Sequence, residues 1–308
     1  MENVQIKKKK NWLPKKADAP FIILLLPALI TVIVFAYLPM SGLLIAFKDY
    51  NGKLGIFGSP WAENGGFSNF IEIFKTPGLP DAIINTLIWN VLTLLIGFPL
   101  PIVYALLLEE VKNKIFKSVT QTISYLPHFL SWIAITGMAT SFLGEYGIIN
   151  DIVKNITGDR IIFLGDEKYF LPVYLFLVVW QSLGWDSIIY ISALSSVAPE
   201  LYEAATIDGA GRFKQVIHIS VPTLLPTMMI LLIMKVGQLF GSNFELVYGL
   251  QNPAWKDEVI STAVYNYGIG QGEYALATAL GLLQGVIALI ITMSANKISD
   301  KLTSVSMW

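Results

Sequence analysis

Six long apolar runs, almost free of formal charge, limit what this chain can become. They are Phe21–Phe47, Ala82–Leu108, about Ile123–Leu143, Phe170 to about Leu194, about Pro222–Leu246 and Tyr274–Ala295. About 20 apolar residues in a helix cross the ~30 Å hydrocarbon layer of a bilayer. Only helices and closed barrels satisfy every backbone polar group there. The pattern predicts an all-α, polytopic membrane protein with six transmembrane helices. Composition agrees, with 54% hydrophobic and 14% charged residues and a mean hydropathy of +0.60; soluble domains carry about 25% charged residues.

The same runs divide the chain. Residues 1–20 form a basic arm with Lys7 to Lys10, Lys15 and Lys16. Residues 21–296 form the membrane domain, and 297–308 a short tail. The first run is too long for a signal-peptide core, so it reads as a retained span. With the N-terminus inside, the inner segments hold thirteen of the 21 Lys and Arg, and the outer loops hold seven. The bias predicts both termini in the cytoplasm.

Several classes drop out. A net charge of -1 gives no reason to expect a nucleic-acid partner. Cysteine is absent, and His128 and His218 stand too far apart in sequence to suggest a metal cluster. No Gly-x-x-x-x-Gly-Lys-Ser/Thr, His-Glu-x-x-His or Gly-x-Ser-x-Gly run occurs, so neither a nucleotide site nor a catalytic residue is expected in this chain. Gly268-x-Gly270-x-Gly272 follows no strand and reads as flexible external backbone.

Between the fourth and fifth runs lies a well-mixed polar stretch, with the connecting loop spanning 196–221. Ser195 or Ser196 suits a helix cap, Pro199 a first turn, and Glu200 and Glu203 the positive end of a helix dipole. Leu201, Ala204 and Ala205 follow at helical spacing and make one thin apolar face. Asp208-Gly209 ends the helix, because Gly accepts φ > 0. Phe213, Val216 and Ile217 begin a second amphipathic piece. Physics alone leaves two readings open: an ordinary loop with a helical turn, or a helix–Gly–helix hairpin presented to something outside the membrane.

Glu203-Ala204-Ala205, Asp208-Gly209-Ala210, Phe213, Pro222 and Pro226 together resemble the EAA loop of binding-protein-dependent ABC importer permeases. Phe67-Ser68-Asn69-Phe70 and Asn85-Thr86 resemble the start of that family's transporter core. The likeness runs from about Ile22 to the C-terminus and is closest to the sugar branch, the maltose-type permeases and those serving complex oligosaccharides. It implies a type I importer permease fold, with Glu203, Ala204, Ala205, Asp208, Gly209 and Phe213 forming a cytosolic coupling helix and its turn. It further implies a heterodimer with a second permease, two cytosolic ATPase subunits that bind ATP and Mg, and an extracytoplasmic solute-binding protein. The expected location is a bacterial cell membrane, and the expected activity is ATP-driven oligosaccharide import by alternating access.

Two ionisable residues interrupt the spans. An ionised side chain at the bilayer centre costs about 2.5–3.5 kcal/mol even on the gentler insertion scale. At 1.5 Å per residue, Asp186 and Lys235 lie roughly 14 and 20 Å from the inner ends of their spans, within side-chain reach of one level. They could form a mutual ion pair, make separate polar contacts, or serve an ion path. The last option defines the rival reading, a gradient-driven secondary transporter using Asp186 and Lys235. Trp180, Gln181, Gln238, Asn243, Phe244 and Gln284 are candidates to bind a neutral or weakly charged oligosaccharide. Amides pair with hydroxyls, and aromatic faces suit sugar rings; for each residue taken singly, helix packing is the alternative.

Overall fold

The computed structural model describes residues 19–241, 243–251 and 259–303. The arm over 1–18 and the residues 304–308 lie outside the described residues. Among those described, the chain is helical with no sheet; one antiparallel bridge joins Lys48 and Trp61.

Helix α1 (Pro20–Phe47) changes winding along its length, with a π turn at Ile33–Tyr37 and 3-10 turns at Leu38–Phe47. The change falls at Pro39, which lacks an N–H. An amphipathic helix follows, α2 (Ser68–Lys75), and then α3 (Leu79–Glu109). Pro99 and Pro101 do not break α3, because Phe98 keeps helical angles and the two prolines open a fresh turn.

The third apolar run is a broken span, not a kinked one. Lys114–Phe129, here α4, meets the following helical segment at 99°. Leu130 and Ser131 are extended, and Ser131 Oγ caps α5 (Trp132–Leu143) by accepting from Ala134 N at 3.2 Å. After α6 (Ile148–Thr157) comes α7 (Glu167–Ser195), then α8 (Pro199–Ile207) and the long α9 (Arg212–Gly237). The fifth span therefore stops at Gly237. Asn243, Phe244 and Glu245 belong to a separate short element, with Asn243 capping α10 (Phe244–Leu250). Helices α11 (Ile260–Tyr265) and α12 (Tyr274–Thr303) complete the chain. Gly268 and Gly270, expected with Gly272 as flexible backbone, instead lie in a helical π turn, Asn266–Gly270. Among the described residues, five helices are long and apolar enough to cross a membrane, or six with the bent pair taken as one span.

Three apolar clusters hold these helices. One joins the end of α1, α2, α3, α11 and α12 through Ala46, Ile73, Leu79, Ile260 and Leu280. The second packs Trp89 against Phe170 and Tyr174, with ring centroids 5.5 and 5.2 Å apart. The third joins α3, α7 and α9 through Ala105, Tyr190 and Leu224. Polar links add register: Thr86 Oγ1 accepts from Ile260 N at 2.8 Å, tying α11 to α3.

Candidate functional site: the hairpin and the membrane cavity

The α7–α8–α9 connection is a hairpin locked at its tip. Gly209 has φ +77°. Gly209 N donates to Thr206 O at 3.1 Å and Ala210 N to Ala205 O at 2.8 Å, the paired bonds of a Schellman motif. Gln215 Nε2 donates to Thr206 Oγ1 at 2.9 Å and to Ala210 O at 3.0 Å, stapling the turn from the far side. Tyr202 and Ser220 share a 2.9 Å hydroxyl hydrogen bond, and Arg212 reaches Glu110 Oε2 at 3.0 Å. The tip is thus fastened to α9 and to the end of α3.

Its outward face is unpartnered. Glu200, Glu203, Ala204 and Asp208 are exposed, as are Ile207 and Phe213 at 86% and 78%. Ala205 and Tyr202 are half-buried against the chain's own helices. The expected thin face of Leu201, Ala204 and Ala205 is therefore divided, because a short helix that packs on one side cannot present both alanines outward. Neither expected serine caps α8. Ser195 Oγ donates to Ile191 O at 2.9 Å and Ser196 Oγ to Ala193 O at 2.7 Å, both turned back into α7. Pro199 sits at the start of α8, where its missing N–H costs nothing.

Inside the membrane region, Lys235 Nζ lies 2.7 Å from Asp186 Oδ2, joining α9 to α7. The side chains are 35% and 22% exposed. They border a cavity of about 210 Å³ lined by Asn90, Thr93, Ser182 and Gln238. Thr93 Oγ1 is buried there with no partner among the described residues.

The six candidate sugar ligands do not converge. Gln238 faces this polar cavity. Trp180 faces an apolar one with Met138, Phe142 and Phe176. Gln181 is buried and donates to His128 O at 3.3 Å. Gln284 Nε2 donates to Phe240 O, and Asn243 Oδ1 is engaged by Leu246 N at 3.2 Å. Phe244 stacks on Tyr248 and packs tilted against Tyr265, with centroid distances of 5.2 Å each. Sequence position fixes depth in a helix, but each residue turns the side chain by about 100°, so neighbours such as Trp180 and Gln181 face different surroundings. Asn90, Thr93 and Ser182 were missed for the same reason; single small polar residues in an apolar run carry no distinguishing pattern. His128 stacks on Trp185 at 4.3 Å and is an interior packing residue.

A broken-helix membrane domain with an exposed, braced hairpin defines a transporter subunit; among the described residues no group of side chains could hold a metal ion. Residues 97–304 match the family described as binding-protein-dependent transport system inner membrane component, and the chain belongs to that family of ABC permease subunits. It is 39% identical over 298 residues to the polygalacturonan/rhamnogalacturonan transport system permease protein YteP of Bacillus subtilis (strain 168), covering 96% of this chain and 92% of YteP. Protein LplB of the same organism is 39% identical over 295 residues, covering 94% and 92% of the two chains. Among solved structures, a bacterial ABC transporter involved in the import of the acidic polysaccharide alginate contains a chain that superposes with a TM-score of 0.86. That chain is 37% identical, and the match covers 94% of this chain and 97% of that one. A structure of a bacterial alginate ABC transporter with its alginate pentasaccharide-bound periplasmic protein matches equally well, at 36% identity and a TM-score of 0.86.

Proposed function

We propose that this chain forms part of the membrane pathway of an ATP-driven importer for oligosaccharides. The observation that carries the reading is the hairpin: a rigid tip with an unpartnered outer face, lying within the segment that matches the permease family. Glu203 and Ala204 dock on an ATPase subunit, with Asp208, Gly209 and Phe213 shaping the contact and Ala205 packing behind it. Two ATPase subunits bind the ATP and Mg, and the hairpin carries their closure into α7 and α9. A second permease subunit completes a heterodimer. The side chains of Pro20–Met40 are all exposed, which suits lipid and such a partner.

The saccharide class is supported by what the relatives transport, polygalacturonan/rhamnogalacturonan and alginate by name. A solute-binding protein delivers the sugar; in support, a bacterial alginate ABC transporter is known in complex with an alginate pentasaccharide-bound periplasmic protein. The excess of Lys and Arg in the inner segments supports an orientation with both termini and the hairpin in the cytoplasm.

The test is a complete transporter reconstituted in vesicles. ATP hydrolysis and oligosaccharide uptake should both rise when solute-loaded binding protein is added. Uptake that persists without ATP under an imposed ion gradient would overturn the reading in favour of the secondary transporter. No observation in the structure favours that rival.

A further inference from the structure

The Asp186–Lys235 pair stands between two cavities. One, of about 210 Å³, lies away from the hairpin and is lined by Asn90, Thr93, Ser182 and Gln238. The other, also about 210 Å³, lies toward the hairpin, against Phe98, Pro101, Tyr190 and Leu231. Both charged side chains line both spaces. The order along the helices agrees: α3 runs from Asn90 to Pro101 toward the hairpin, α7 from Ser182 to Tyr190 toward it, and α9 from Leu231 to Gln238 away from it. The ion pair is thus the partition, with a polar chamber on one side and an apolar one on the other.

We infer that Lys235 sets the solute's charge: the permeant saccharide bears a carboxylate, which takes the place of Asp186 on Lys235 as it passes the partition. This deepens the saccharide reading above and rests on it. It also replaces the neutral solute expected from the amide cluster, whose members the fold scatters.

The physical case starts from cost. A carboxylate leaving water is costly to bury unless a cation and hydrogen-bond donors receive it. Lys235 is the one cation in the middle of the described spans, and it is the more exposed member of the pair. Asp186 occupies the place on Lys235 that the solute carboxylate would take, with Oδ2 2.7 Å from Nζ. Exchange of one carboxylate for another leaves the cation paired throughout, so the partition opens without stranding a charge. The lysine ammonium has three donors, and Thr93, which lines the same cavity, has its Oγ1 buried with no partner among the described residues. Both are suited to an anionic, hydroxyl-rich solute. A neutral sugar offers no replacement for Asp186 and passes the partition less readily.

The experiment uses the full transporter in vesicles with two probes, trigalacturonate and its neutral methyl ester. The readout is the acid-to-ester uptake ratio within each variant, so altered assembly cancels. Lys235→Met should lower that ratio by about tenfold or more, the worth of one charge-assisted hydrogen bond. Asp186→Asn, which leaves the cation in place, should not lower it, and Lys235→Arg should restore it. If Lys235→Met lowers uptake of both probes alike, the pair is structural and the inference fails. Where the wild type rejects the ester, the comparison is acid uptake in the two variants. A fall confined to Lys235→Met supports the inference, and equal falls in Lys235→Met and Asp186→Asn overturn it. A wild type that takes the ester and rejects the acid also overturns it but leaves the saccharide importer standing. A wild type that takes neither sinks the saccharide reading, and this inference with it.

Discussion

The hydroxyls of Tyr202 and Ser220 lie 2.9 Å apart, fastening the inner face of the hairpin helix to the base of the fifth span. Under the proposed coupling, a push on the hairpin reaches α9 through this bond. Tyr202→Phe keeps the ring and removes the bond, a loss of about 0.5–1.5 kcal/mol. The expected outcome is ATP hydrolysis near the wild-type rate with less sugar moved per ATP. An unchanged sugar-to-ATP ratio would show that the contact transmits nothing.

Gly209 holds φ +77°, and an added Cβ would meet no neighbour within 4 Å. A substitution there costs only backbone strain, about 1–2 kcal/mol for an L-residue in the left-handed region. Gly209→Val should abolish uptake while the protein still reaches the membrane. Gly209→Asn should keep part of it, because Asn tolerates this conformation better. Normal uptake by the valine variant at normal expression would remove the tip from the coupling route.

Gly184 lets α7 lie directly on the backbone of α4. An added Cβ would overlap the carbonyl oxygen of Ser124. Gly184→Ala should therefore destabilise the fold by about 1–3 kcal/mol, the usual range for overpacking. The check is a lower unfolding temperature of the purified complex in detergent. An unshifted transition would mean the two helices separate at no cost.

Gln238 and Asn243, proposed together as sugar ligands, should part in behaviour. Gln238 lines the polar cavity, whereas the Asn243 side chain caps α10. Gln238→Ala should raise the solute concentration needed for half-maximal uptake. Asn243→Ala should cost about 1 kcal/mol of stability, as N-cap losses do, with no change in that concentration. The reverse assignment would place the solute at α10 instead.

The number of membrane helices, counting the bent pair as one span, was legible in the sequence, because apolar runs of fixed length have few other uses; the break in the third and the end of the fifth at Gly237 were not. So was the hairpin: Pro199 and Gly209 each act through their own backbone, and the structure places them at the start of α8 and just beyond its end. Family membership was readable there too, since the identifying residues lie close together in one stretch. Tertiary structure decided the rest. Ser131 could break the third span because its hydroxyl found a free N–H, a matter of local competition that hydropathy does not register. Depth along two helices placed Asp186 and Lys235 at one level, but only the packing of α7 against α9 turned the side chains together. The same rotation sent Gln181 and Gln284 to backbone carbonyls and left Thr93 in the cavity. A sequence records how far along a helix a residue sits; which way it faces is fixed by the helices it packs against.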